Sequence, residues 1–378
     1  MRLRSLLLMS AFYLIPGVTY AAGPLVFATI DRSGWPTTLN SVEGFDTASR
    51  AEILMFAKAL LASEALDEKA LQQHLGVKHI DLAAVNRVRE RFWQRLLNNF
   101  RLAGQHCEGE AFCLRVRNLD QFRQLVTGFT GQSKTTYGAW AEASLRFHQQ
   151  YLQEQLRLAA LFPMVSSEIE RFSDAEILGD ELGDRQFLLT FDDGPTARSG
   201  STDRLLDVVR AEDVHAFFFV LGAPFQKRLE QSSADDMRNF YSDQCVGLHG
   251  WEHKSHSSWR DWQGSITRSA SLVSTALSEE YQPLFRPPYG QRRSDSAAFF
   301  KAQGVQLMVW NIDSQDWSKA VDSRAASQRV QTLMLLWRSG VILFHDTHDK
   351  AAKALPALFD TNRGNGVQWV DCRMGRKL

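Results

Sequence analysis

The sequence predicts an α/β fold, a mainly parallel sheet either open or closed as a barrel, preceded by an all-helical region. Three observations carry this reading. From Phe45 to about Phe162 the apolar residues recur at helical spacing with no strand pattern between them. After Arg185 short apolar runs alternate with amphipathic segments, the signature of strands joined by crossover helices. Each of five polar clusters then sits just past one of those runs, where folds of this class keep their chemistry.

Residues 1–21 read as a secretory signal. Arg2 and Arg4 open it, Leu6 to Val18 form the apolar core, and Thr19-Tyr20-Ala21 offers a small-residue cleavage site. The run holds Pro16 and Gly17 and is short for a membrane-spanning helix. An exported protein, periplasmic or extracellular, with no stable membrane span after cleavage is expected. The chain of 378 residues carries 43 basic and 43 acidic side chains, and the signal would remove two arginines and no acid. That balance gives no electrostatic footprint for nucleic acid or an anionic membrane.

Residues 22–184 are expected to form the helical accessory domain. Val85, Val88, Phe92, Leu96 and Phe100 mark one buried stripe, and Ala48 to Leu66 and Tyr137 to Leu161 read the same way, the last stopped by Pro163. No catalytic cluster appears among them. The acidic, glycine-containing stretch from Ser166 to Arg185 reads as the junction. Four cysteines in an exported chain suggest disulfides. Of the three possible pairings, a local Cys107–Cys113 loop and a Cys245–Cys372 clasp are favoured.

Residues 185–378 form the second domain. Its apolar runs are Phe187–Phe191, Ala216–Val220, Val246–Leu248, Leu284–Phe285, Val305–Ile312, Val341–Phe344 and Val367–Val370, with Leu205–Val209 and Ile266–Leu277 among the intervening helices. The clusters that follow them are Asp192-Asp193, His249-Gly-Trp-Glu-His253, Arg286-Pro-Pro-Tyr-Gly290, Asp313-Ser-Gln-Asp-Trp317 and His345-Asp346.

A lone Asp-Asp-Gly is more often a solvated turn, and a lone His-x-x-x-His more often packing. Together they offer two imidazoles and a carboxylate, a usual set for a catalytic zinc that keeps a position open. Asp193, His249 and His253 are therefore the candidate metal ligands, with His256 ranked behind them as a supporting or surface residue. Asp192 is the candidate general base and Arg286 its partner, able to hold a carboxylate in a bidentate grip. His345 has the intrinsic pKa of a general acid, positioned by Asp316 or Asp313. Trp317 is the expected substrate contact, whereas Trp310 lies inside an apolar run and reads as core.

These clusters closely resemble the five motifs of the NodB-type polysaccharide deacetylases, carbohydrate esterase family 4: Thr190-Phe-Asp-Asp-Gly-Pro195, His249 to His253, Arg286 to Gly290, Asp313 to Trp317, and Ile342-Leu-Phe-His-Asp346. The resemblance covers about Arg185 onward and not the helical region. It implies a distorted (β/α) barrel and a divalent metal, usually zinc, on Asp193, His249 and His253. It also implies Asp192 as base, Arg286 as its tether and His345 as acid tuned by Asp316. The Tyr289 backbone N–H would help hold the oxyanion, and Leu343 would line the acetyl pocket. One departure stands out: Gly250 occupies the place where the family usually has Ser or Thr, which removes a supporting hydroxyl from that loop.

The implied activity is a metal-dependent hydrolase that removes N-acetyl groups from N-acetylhexosamine units of a cell-envelope or secreted glycan. An O-acetyl polysaccharide esterase and a non-catalytic glycan-binding barrel are the alternatives. Retention of Asp192, Arg286 and His345 argues against the second.

Overall fold

A computed structural model describes residues 23–109, 111–130, 135–161, 171, 173 and 175–373. The predicted signal sequence lies outside the described residues. Among those described, no helix is long and apolar enough to cross a membrane.

Five helices come first: α1 (Val42–Glu64), α2 (Glu68–Leu75), α3 (Leu82–Leu102), α4 (Leu119–Gly128) and α5 (Gly138–Leu161). The sequence explains their starts. Ser41, Asp67, Asp81 and Asn118 each accept a hydrogen bond from a backbone N–H in the first turn, satisfying a donor that the helix itself leaves free. Gly76, at φ +62, stops α2 in the left-handed conformation that glycine adopts without strain. The predicted stripe Val85, Val88, Phe92, Leu96 and Phe100 is the buried face of α3.

The second region alternates strand and helix: β1 (Gln186–Asp192), α6 (Ser201–Ala211), β2 (Phe217–Val220), α7 (Gly222–Glu230), α8 (Ala234–Tyr241), β3 (Cys245–Leu248), α9 (Trp262–Ala276), β4 (Tyr281–Phe285), α10 (Ala297–Gln303), β5 (Gln306–Leu307), β6 (Ile312–Asp313), α11 (Ser323–Trp337), β7 (Gly340–His345), α12 (Lys350–Thr361) and β8 (Gln368–Trp369). All strand pairs are parallel, in the order β5-β4-β3-β2-β1-β7-β6, with β8 beside the start of β1.

One expected strand is corrected. The run Val305–Ile312 is two short strands at opposite edges of the sheet, β5 against β4 and β6 against β7. The Met308–Asn311 connection spans the seam between those edges, and Ile177 bridges to Met308 within it. Continuous pairing fails there because the Met308 and Val309 carbonyls accept from Arg286 instead of from a neighbouring strand. The sheet thus curls round until a short irregular segment completes it, which is the distortion of the barrel.

Strand parity decides what the barrel contains. Along β1, Leu188 joins the interior cluster while Phe187, Leu189 and Phe191 join the outer core beneath the helices. Phe217 and Phe219 of β2, and Val341 and Leu343 of β7, likewise face inward. Gly247 lies between the rings of Phe217 and Phe219, and a Cβ there would come within 2.7 Å of one of them. Continuing the same parity, Asp192 and His345 end the inward rows of their strands. Interior close packing at one end therefore becomes a set of polar side chains at the other.

Both expected disulfides are present, Cys107–Cys113 and Cys245–Cys372. The second links β3 to the end of the chain inside the barrel core. The helical region does not stand apart. Residues of α1, α3 and α5 share one continuous apolar core with α11 and α12. Asn99 donates to the carbonyls of Leu336 and Trp337, and Ser49 to that of Leu335. Residues 176–184, part of the stretch expected to be the junction, already pack on the barrel through Ile177, Leu178 and Leu182.

Candidate metal centre and active site

At the C-terminal rim, Asp193, His249 and His253 present one ligand atom each, all within 4.8 Å of one another. His249 Nε2 is 3.2 Å and His253 Nε2 3.4 Å from Asp193 Oδ1. His249 Nδ1 lies 2.7 Å from the Arg286 carbonyl. A carbonyl can only accept, so Nδ1 carries a proton and Nε2 is the nitrogen turned towards Asp193. Burial, and then the neighbouring His249, lower the His253 pKa to about 4, so its imidazole is neutral at pH 7. Asp193 Oδ1 is buried and has no hydrogen-bond partner. Lone pairs facing one another across this gap repel unless a cation lies between them. The donor set, two imidazoles and a carboxylate, fits a divalent ion such as zinc.

Backbone conformation builds this cradle. Asp193 leaves β1 at φ +82, and its carboxylate comes to the same His249 nitrogen that Asp192 approaches. Gly250 sits at φ +88, and a Cβ there would lie 2.6 Å from His256 Cε1. The missing hydroxyl noted in the sequence therefore accompanies a loop path that has no room for a side chain. Ser265 serves this loop from α9, accepting from the Trp251 N–H at 2.7 Å and lying 3.1 Å from His256 Nε2. His256 is buried with both ring nitrogens engaged, the other 2.9 Å from the Lys254 carbonyl, and it stands outside the ligand set.

Asp192 and Arg286 form a buried pair beneath the cradle, 2.9 Å apart and 2% and 0% exposed. The guanidinium also donates to Thr190 Oγ1 at 2.6 Å and to the carbonyls of Met308 and Val309. Every arm of the fork is used, so the Asp192 carboxylate is held in one orientation. Its second oxygen is 3.8 Å from His249 Nε2.

His345, at the end of β7, is paired with Asp192 in the β1–β7 register. Asp316 Oδ1 is 2.7 Å from its Nδ1, and Asp316 Oδ2 accepts from its backbone N–H at 3.0 Å. Burial alone would lower the imidazole pKa, but Asp316, assisted by Asp193 and Asp192, pushes it up to about 10. Of the two aspartates left open by the sequence, Asp316 takes this position. The Asp313 carboxylate instead accepts from the Gln315 N–H at 2.7 Å.

Tyr289 occupies a one-turn 3-10 segment at φ +60 and is 60% exposed, its ring 4.4 Å from that of His253. Trp317 is 45% exposed on the rim, with Phe27 against it edge-on at 5.5 Å. Leu343 is buried inside the barrel, as is Trp310. Two neighbouring groups escaped the sequence reading. The Asp346 carboxylate is buried against Gly194 without a hydrogen-bond partner, and burial pushes its pKa up to about 8. Lys350 on α12 donates to the Asp316 carbonyl at 2.9 Å. Asp346 stood in the fifth motif in plain view, but its sequence did not reveal that its carboxylate would be enclosed.

A family model described as polysaccharide deacetylase matches residues 179–308. The chain is 30% identical over 198 residues to the putative polysaccharide deacetylase YheN of Bacillus subtilis, covering 50% of this chain and 67% of that protein. It is 27% identical over 198 residues to the peptidoglycan-N-acetylglucosamine deacetylase PgdA of Listeria monocytogenes, covering 51% of this chain but 40% of the relative. It is also 28% identical over 195 residues to a bifunctional xylanase/xylan deacetylase of Cellvibrio japonicus, covering 47% of this chain and 28% of that protein.

Proposed function

Because the chain belongs to the polysaccharide deacetylase family, we propose that it is a metal-dependent hydrolase removing N-acetyl groups from N-acetylhexosamine units of a cell-envelope or secreted glycan. The observation that carries this reading is the convergence of Asp193, His249 and His253 on one point, between a buried Asp192–Arg286 pair and an Asp316-held His345. The ion that best suits the donor set is zinc, and the location that suits the predicted signal is periplasmic or extracellular. The likeness to a peptidoglycan-N-acetylglucosamine deacetylase of Listeria monocytogenes supports a hexosamine substrate.

When bound, a divalent cation on these three residues supplies Lewis-acid activation of water and of the acyl carbonyl. The chain's own residues do the rest. Asp192, kept from rotating by Arg286, accepts the proton of the attacking water as its oxygen bonds to the acetyl carbon. The Tyr289 backbone N–H donates to the oxygen on which charge develops. His345 enters the reaction as imidazolium, because Asp316 holds it protonated, and gives its proton to the departing amide nitrogen. Acetate and a free amine result. Trp317 and Tyr289 flank the opening with exposed rings suited to a pyranose face, and Leu343 supplies an apolar wall for the acetyl methyl.

The same machinery cleaves an O-acetyl ester, and the likeness to a xylan deacetylase supports that second reading. Acetate release from N-acetylglucosamine oligomers and from acetylated xylan, measured side by side, tests the choice. Preference for the oligomers is expected, and turnover of xylan alone would overturn the N-deacetylase reading.

A further inference from the structure

The geometry points to Glu154 and Arg329 as positioning residues for the His345 side of the site, which makes the helical region a working part of the catalytic unit. This inference rests on the deacetylase reading above. Glu154, on α5, and Arg329, on α11, are 4% and 0% exposed and meet in a two-pronged pair, Nη2–Oε2 at 2.7 Å and Nη1–Oε1 at 3.1 Å. Arg329 Nη1 also donates to the Ala28 carbonyl at 2.8 Å, and the Ala28 N–H donates back to Glu154 Oε1 at 2.6 Å. The remaining arm, Nε, reaches the Asp313 carbonyl at 2.8 Å.

Asp313 ends β6 and opens the loop that carries Asp316. The guanidinium therefore grips that loop three residues before the carboxylate that holds His345. Phe27, next to the pinned Ala28, packs edge-on against Trp317 on the other side of Asp316. Lys350 holds the Asp316 carbonyl from α12. Of these three grips on the loop, Phe27 belongs to the segment N-terminal to the barrel, and Arg329, on α11, is itself held from that side by Glu154 and Ala28.

A buried ion pair is an inefficient source of stability, since apolar residues of similar volume often do as well or better. What it supplies is orientation, because a planar fork satisfies several acceptors in one fixed geometry that an ammonium group cannot reproduce. Catalysis is sensitive to such placement: an error of about 1 Å in a reacting group costs on the order of 100-fold.

The test compares Arg329→Lys, the double variant Glu154→Leu with Arg329→Met, and a control, Leu54→Ala, in the α1 core away from the site. Each is assayed for kcat and KM on N-acetylglucosamine oligomers, for Tm, and for the downfield NMR signal of the His345 ring proton shared with Asp316. Both pair variants are expected to lose about 10- to 100-fold in kcat with KM nearly unchanged, and to shift or lose that proton signal. Leu54→Ala should lose at least as much Tm and keep both. Pair variants that fold with kcat and the proton signal at wild-type values would overturn the inference. So would a control whose kcat and proton signal fall in step with its Tm. If the wild-type protein releases acetate from no glycan, the functional reading fails, while the proton signal still judges the link between Arg329 and His345.

Discussion

Asp316 grips His345 twice, through the ring nitrogen at 2.7 Å and through the backbone N–H at 3.0 Å. One carboxylate thus fixes both where the imidazole sits and which way its other nitrogen faces.

The pH dependence follows from this grip. Folding raises the His345 pKa from 6.5 to about 10 against the opposing effect of burial. A group raised in this way stabilises the fold fully below the unfolded value and loses that contribution as pH rises through the folded one. Asp316→Asn should therefore be most destabilising, relative to wild type, at about pH 6 and converge with it towards about pH 10. Urea unfolding at a series of pH values checks this. NMR titration of metal-free protein should show the His345 pKa falling in the variant.

Arg286 is buried against Asp192, so removing it strands a carboxylate in the interior. Arg286→Ala should cost about 3–5 kcal/mol of stability, read from denaturant midpoints. Asp192→Asn removes the charge without opening a cavity. It should fold and bind metal, yet lose at least about 100-fold in kcat.

Gly250 tests how this loop differs from the family pattern. Ser, usual at that position elsewhere, would have to adopt φ +88 and meet His256 here. Gly250→Ser should cost about 1–2 kcal/mol from the backbone conformation alone, with weaker zinc binding by calorimetry. A neutral or stabilising result would contradict the loop path.

The Cys245–Cys372 bridge closes a loop with a sequence separation of 127 residues. Cys372→Ser should cost about 2–5 kcal/mol. Thiol titration of native protein should find neither sulfur free.

Much of this site was legible because strand parity and chemistry coincide. Leu188, Thr190 and Asp192 alternate with Phe187, Leu189 and Phe191, so the run itself puts Asp192 and Asp193 on different faces, and the structure turns the Leu188 face to the barrel interior. The spacing of His249 and His253 says that one short loop can aim both. What could not be read was long-range. Nothing in Val305–Ile312 announces a break, because its hydrophobicity is continuous and the interruption is imposed by Arg286, distant in sequence and seated across the barrel. Glu154 and Arg329 are 175 positions apart and look like ordinary charges on two amphipathic helices. Only packing α5 on the barrel turns them into a pair. Asp346 was visible as a motif residue, but its enclosure depends on the approach of Gly194.

The central claim is that Asp193, His249 and His253 hold one ion that the reaction requires. The most direct measurement is zinc binding by calorimetry, paired with acetate release from N-acetylglucosamine oligomers, for wild type and Asp193→Ala before and after chelation. The account predicts one zinc per wild-type chain, turnover that disappears on chelation and returns with zinc, and neither binding nor turnover in the variant. Undiminished turnover by metal-free wild-type protein would contradict it.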